Sequence, residues 1–192
     1  MRIEEVTLRA TVPDHREGPR DPLPQVAFAG RSNVGKSSLL NALFGRALAA
    51  VSKTPGKTRT INYYLVNNRC FFVDLPGYGY ARMGRGEREA WGNRITAYLE
   101  QEDRLRLVVG LIDPRIPTSP LDQDLVTFAR EAGRPLVLVM TKTDRLGRSE
   151  LARAAQRLTR ELGTGTEPIS FSAQTGAGRK DILVAIALAL AA

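Results

Sequence analysis

Residues Gly30, Arg31, Ser32, Asn33, Val34, Gly35, Lys36 and Ser37 make a complete G-x-x-x-x-G-K-[ST] phosphate loop. Its glycines let backbone N–H groups turn inward around a β-phosphate, at the positive end of the helix that follows. Lys36 is placed to bridge β- and γ-phosphates, and the Ser37 hydroxyl to hold Mg²⁺. Asp74-Leu75-Pro76-Gly77 supplies a D-x-x-G, in which the carboxylate can reach Mg²⁺ through water and the Gly77 N–H can meet a γ-phosphate. Thr141-Lys142-Thr143-Asp144 ends in a carboxylate able to accept both N1–H and the exocyclic N2–H of guanine, a pair that adenine does not present. Ser172-Ala173, directly after Phe171, is positioned for a backbone N–H to meet guanine O6. Taken alone Asp144 could equally be a helix cap or a loop carboxylate; the ordered set argues for a nucleoside triphosphate site.

Each motif needs an element to hold it. The apolar run Val26 to Ala29 predicts a buried strand before the phosphate loop. Leu39, Leu40, Leu43 and Phe44 predict a helix after it, stopped at Gly45. Ile61 to Val66 and Cys70 to Asp74 read as a hairpin turned at Asn67-Asn68. Glu87 to Glu102 reads as a helix and Leu105 to Asp113 as a long strand. Ser119-Pro120 opens a helix closed by Gly133, and Leu136 to Met140 is a further strand. Ser149 is expected to cap a helix running to about Leu162, followed by a short strand from Pro168 to Phe171 and an apolar helix from Lys180 to Leu190. Strands alternating with helices predict an α/β, three-layer fold, a mostly parallel six-stranded sheet with helices on both faces and ligands at the carboxyl ends of its strands. Residues 1–22 read as an N-terminal extension with a possible edge strand (Ile3, Val6, Leu8, Ala10, Val12), and 23–192 as the nucleotide-binding domain.

The single cysteine, Cys70, excludes an internal disulfide framework and fits a reducing compartment. No apolar run approaches a membrane-spanning length and the start lacks a signal-peptide profile, so a soluble, cytoplasmic protein without membrane contact is expected. A monomer is expected as well. Net charge is +8, and from Pro22 to Val73 there is no Asp or Glu while Arg31, Lys36, Arg46, Lys53, Lys57, Arg59 and Arg69 all lie there. One lysine serves a triphosphate; the rest make a polyanion such as RNA a candidate partner, against the plainer alternative of a solvated face.

The sequence resembles the EngB (also YihA or YsxC) family of bacterial ribosome-biogenesis GTPases, among the translation-factor-related small GTPases with a Ras-like fold. The resemblance spans about residues 23–190. It rests on Gly-Arg-Ser-Asn-Val-Gly-Lys-Ser-Ser (30–38), Lys-Thr-Pro-Gly-Lys-Thr-Arg-Thr (53–60), Asp-Leu-Pro-Gly-Tyr-Gly-Tyr-Ala (74–81) and Thr-Lys-Thr-Asp (141–144). Most GTPases place Asn first in the last motif, where it ties the base loop to the phosphate loop. Thr141 is shorter, which predicts a weaker brace.

The resemblance implies a GTP/GDP site built from Gly30 to Ser38, from Gly56, Lys57, Thr58, Arg59 and Thr60, from Asp74 to Gly77, from Thr141 to Asp144, and from Phe171, Ser172 and Ala173. It implies Mg²⁺ held by Ser37, Thr58 and Asp74, with Lys36, Thr58 and Gly77 carrying the chemistry. Segment 53–60 would be the first switch, with Thr54 and Thr60 as rivals to Thr58, and 76–86 the second. Ras-like proteins place a glutamine after D-x-x-G to orient the attacking water; here Tyr78 stands in that position, which predicts slow intrinsic hydrolysis. Asn33 is a candidate K⁺ ligand by the same resemblance, or simply a turn residue. The implied role is a nucleotide-dependent switch on a precursor of the large ribosomal subunit and its rRNA, with a linked requirement for cell division and septation. The competing possibility is a small-molecule kinase with a P-loop, in which Arg82, Arg85 and Arg88 would mimic a lid.

Overall fold

The computed structural model describes residues 1–50, 60–79 and 85–192. Seven strands form one sheet: β1 (Val6–Val12), β2 (Gln25–Gly30), β3 (Ile61–Val66), β4 (Cys70–Asp74), β5 (Leu105–Ile112), β6 (Leu136–Met140) and β7 (Ile169–Ser170), in the order β1-β3-β4-β2-β5-β6-β7. The run from β4 through β7 is parallel, and β1, β3 and β4 pair antiparallel. Among the described residues five α-helices accompany the sheet: α1 (Lys36–Phe44), α2 (Arg85–Gln101), α3 (Pro120–Glu131), α4 (Arg148–Leu162) and α5 (Arg179–Ala191).

Strand β2 sits centrally and every one of its residues is buried. Because successive side chains point to opposite faces, Val26 and Phe28 join α1 and α5 through Leu40, Leu43, Ile182 and Ile186. Ala27 and Ala29 face the other way, toward Tyr98 of α2 and Leu125 of α3. Helix α4 extends that second layer, laying Ala154, Ala155 and Leu158 on Ile112 and Met140. Each such large apolar side chain contributes on the order of 1.5–3 kcal/mol by leaving water.

The seventh strand corrects the expected six. Val6–Val12 pairs along β3, with a bulge between Leu8 and Ala10. A one-residue slip exchanges faces: Val6 packs with the α1–α5 layer, whereas Ala10 and Val12 pack with the α2–α3 layer. Leu8 is left 49 % exposed, so the simple alternation across the segment does not hold. The chain start is tied down by Asn67, whose amide donates to the Arg2 carbonyl and accepts from the Glu4 and Glu5 N–H groups. Asn67 and Asn68 both take positive φ (50° and 52°), the backbone of a tight hairpin turn.

The start of α4 also departs from expectation. Gly147 is its N-cap, not Ser149: the Glu150 carboxylate accepts the Gly147 N–H at 2.9 Å, which sets the first turn two residues earlier.

Candidate functional site

The carboxyl ends of β2, β4, β5, β6 and β7 converge on one edge of the sheet, and the predicted motifs at 30–37, 74–77, 141–144 and 171–173 sit there. Gly30 closes β2 under tight packing: a Cβ would lie 2.9 Å from both the Leu111 carbonyl and Val34 Cγ1. The loop turns through Asn33 (φ 61°) and Gly35 (φ 111°) before α1 begins at Lys36. A φ of 111° is a conformation that glycine alone adopts without strain. Ser37 and Ser38 stand in the first turn of α1, where free N–H groups and the helix dipole favour an anion.

Asp74 ends β4, 5 % exposed in its side chain, and the Lys36 ammonium donates to its Oδ1. This pair joins the phosphate loop to the D-x-x-G. The chain continues alongside the loop: the Leu75 N–H donates to the Phe28 carbonyl, and a Cβ on Gly77 would lie 3.3 Å from Ser32 N and Cα. Tyr78 then forms a bridge with Arg31, its N–H donating to the Gly30 carbonyl and its own carbonyl accepting the Ser32 N–H at 2.7 Å.

The Tyr78 side chain points away from the loop. It is fully buried, and its hydroxyl donates to Asp122 Oδ1 of α3 at 2.8 Å. Burial, reinforced by the Asp122 charge, holds the phenol well above its ordinary pKa, so it remains a donor. A phenol so held neither orients a water as an amide would nor acts as a base.

The segments 141–144 and 171–173 are joined to the phosphate loop and to each other. The Thr141 hydroxyl donates to the Val34 carbonyl at 2.6 Å, so this shorter residue does reach the phosphate loop. Lys142, in left-handed backbone (φ 56°), donates to the Asn33 carbonyl at 2.8 Å and to Asp113 Oδ2 at 3.0 Å. The Thr143 N–H donates to the Phe171 carbonyl, and Ser172 Oγ donates to Asp144 Oδ1 at 2.6 Å. Ser172 Oγ in turn accepts the N–H groups of Gln174 and Thr175, which leaves its own proton for Asp144. Asp144 and Ala173 are exposed while Phe171 and Ser172 are buried, so the carboxylate faces outward from a fixed backing.

Two carboxylates in this arrangement were not singled out in the sequence. Asp113, at the end of β5, accepts a bidentate pair from Arg115 as well as the Lys142 contact. Burial raises its carboxyl, but the hydrogen bonds from Arg115 and Lys142 outweigh that and hold it down at about 2. Its position at the carboxyl end of a parallel strand, like that of Asp74, was the available signal. Asp122 carried only the signal of a helix cap, three residues after Ser119, and nothing that pointed to Tyr78.

Thr60 lies at a bend before β3. Gly56, Lys57, Thr58 and Arg59 fall outside the described residues, as do Lys53, Thr54 and the stretch 80–84 of the second switch. Among the described residues no group of three or more His, Cys, Asp or Glu is gathered to hold a metal. The donor set present, one hydroxyl at Ser37 and one carboxylate at Asp74 beside the N–H groups at the start of α1, fits Mg²⁺ shared with a phosphate rather than a closed protein cage. No helix among those residues is long and apolar enough to cross a membrane.

Residues 25–142 match the protein family described as 50S ribosome-binding GTPase. The probable GTP-binding protein EngB of Chlorobaculum parvum is 46 % identical over 166 residues, covering 86 % of each chain. A crystal structure of a probable GTP-binding protein engB superposes with a TM-score of 0.74 at 23 % identity, over 86 % of this chain and 98 % of that one. The structure of Era in complex with MgGDPNP and nucleotides 1506–1542 of 16S ribosomal RNA shares the fold, with a TM-score of 0.63 at 24 % identity over 85 % of this chain and 55 % of that one.

Proposed function

The chain belongs to the EngB family of GTP-binding proteins, P-loop GTPases, and from that premise we propose that it is a slow, nucleotide-dependent switch in assembly of the large ribosomal subunit. Family membership decides between the two activities that a phosphate loop allowed: the chain is a GTPase, not a small-molecule kinase.

One observation carries the site assignment, namely the bracing of the phosphate loop by both Thr141 and Lys142 while Lys36 meets Asp74. In our reading Lys36 bridges the β- and γ-phosphates, the Gly77 N–H meets the γ-phosphate, and Ser37, Thr58 and Asp74 hold Mg²⁺. The ion would offset charge on the phosphate oxygens. Asp144 accepts from guanine N1–H and N2–H, and the backbone at Ser172-Ala173 meets O6. Tyr78, turned into the fold, gives the attacking water no partner, which is why intrinsic hydrolysis is slow.

The ribosomal part of the proposal is supported by the family description, by the Era fold seen with ribosomal RNA, and by the absence of any carboxylate between Pro22 and Val73 in a chain of net charge +8. In this reading GTP orders the first switch, Lys53, Lys57 and Arg59 meet rRNA phosphates, and the GDP form leaves. A division phenotype would follow indirectly from defective subunits, in a cytoplasmic monomer whose 1–22 segment extends a 23–192 GTP-binding domain. The test is cosedimentation with ribosomal particles in GDP, in a non-hydrolysable GTP analogue and without nucleotide. Binding confined to the analogue is expected, and equal binding in all three overturns the proposal. Lys53→Glu with Arg59→Glu should weaken that binding and flatten its salt dependence, by roughly one log–log unit for each phosphate that is no longer neutralised.

A further inference from the structure

Tyr78 is held through both its backbone and its side chain. Its N–H and carbonyl pair with Gly30 and Ser32 of the phosphate loop, and its hydroxyl ends on Asp122. Asp122 is only 2 % exposed and its second oxygen, Oδ2, accepts the Ser119 N–H at 2.7 Å and the Ser119 hydroxyl at 2.8 Å. The carboxylate that closes the capping box of α3 is therefore the one that anchors the first residue after D-x-x-G. A charged acceptor and a phenol donor, both out of water, make a hydrogen bond of the stronger class.

The backbone half of this arrangement bears on the nucleotide. N–H groups of a phosphate loop are the donors that cradle phosphate oxygens. Here the Ser32 N–H donates to the Tyr78 carbonyl instead, and Ser32 lies against Gly77, the residue assigned to the γ-phosphate. If the γ-phosphate meets the Gly77 N–H as read above, it comes beside the Ser32 N–H and would compete with the Tyr78 carbonyl for it; a diphosphate lacks that group.

We propose that the hydrogen bond from Tyr78 to Asp122 is a latch on the second switch. It keeps the Tyr78 carbonyl on the Ser32 N–H, favours the GDP form, and makes Tyr78 and Asp122 positioning residues of this GTPase. GTP binding works against the latch, so the start of α3 is coupled to the presence of the γ-phosphate. The inference rests on the reading that Gly30 to Ser37 holds the phosphates.

Tyr78→Phe keeps the ring in its pocket and removes only the donor. The ratio of affinities for a non-hydrolysable GTP analogue and GDP, measured by competition titration, should rise about three- to tenfold, since part of a charge-assisted bond no longer opposes the triphosphate form. The KM for GTP should fall more than kcat changes. Leu158→Ala, in a buried cluster of α4 that includes neither Tyr78 nor Asp122, is the control for a purely structural effect: it lowers the thermal midpoint and should leave the ratio where it was. An unchanged ratio in Tyr78→Phe, or an equal shift in Leu158→Ala, overturns the latch. Lys36→Ala separates this from the site assignment: if that variant binds both nucleotides normally the phosphate-loop reading itself fails, and if it does not while Tyr78→Phe behaves as wild type, only the latch fails.

Discussion

The Thr141 hydroxyl donates to the Val34 carbonyl at 2.6 Å across 107 residues of sequence, joining the loop that would read the base to the loop that would hold the phosphates. The bond is buried, and Thr141 is 1 % exposed. Thr141→Val keeps the shape and removes the donor, leaving a buried carbonyl without it. Affinity for GTP and for GDP should fall together by about two- to tenfold, because the brace serves both nucleotides alike. A loss confined to one of them, by isothermal titration, would contradict the bracing role.

Lys36→Ala removes the ammonium expected between the phosphates, a charge-assisted contact usually worth about 1.5–3 kcal/mol, so GTP affinity should drop at least about tenfold. The variant also leaves Asp74 buried without its cation, so the nucleotide-free protein should melt at a lower temperature than wild type. Wild-type affinity in a fluorescent-nucleotide titration would remove Lys36 from the site.

Asp144→Asn should move preference from guanine to xanthine nucleotides. Ser172 Oγ accepts two backbone N–H groups and so must donate to residue 144, which fixes the new amide with its oxygen on Ser172 and its NH₂ toward the base. That donor opposes N2–H of guanine and suits the carbonyl of xanthine. GTP affinity should fall at least about tenfold while xanthosine triphosphate affinity rises. Competition between the two nucleotides measures this, and retained guanine preference is the adverse result.

Asp113 is held down at about 2, from an ordinary 3.8, so its folded pKa lies below its unfolded one. The stability it contributes is therefore present above about pH 4 and is lost as pH falls toward 2. Asp113→Asn leaves Arg115 and Lys142, both about a third exposed, without their carboxylate and should cost about 1–2 kcal/mol at neutral pH. The gap between variant and wild type in denaturant midpoints should close as pH approaches about 2. A constant gap would mean that the charge of Asp113 is not what matters.

How much of this was legible in the sequence differs from element to element. The strand–loop–helix around Gly30 to Ser37, the turn at Asn67-Asn68 and the end of α1 at Gly45 follow from local chemistry: buried apolar runs, residues that accept positive φ, and a glycine where a helix must stop. The four motifs could be read for the same reason, since each is a short stretch whose function lies in backbone geometry and one or two side chains. Gly147 rather than Ser149 at the start of α4 shows the limit even locally, because Glu150 decides between two plausible caps.

Local chemistry of this kind reaches as far as the class of fold, the family and the ligand chemistry that the family implies. Three further features arise only when distant segments meet. Val6–Val12 becomes a seventh strand because β3 presents an open edge, and a bulge sends its two halves to opposite layers. Thr141 braces the phosphate loop because β6 brings it beside Val34, a matter of placement rather than side-chain length. Tyr78 turns inward because Asp122, on a helix 44 residues away, offers a buried acceptor. Periodicity and motif spacing record what a residue does with its near neighbours in the chain. These three depend on which distant groups folding places within hydrogen-bond reach, and no local pattern carries that.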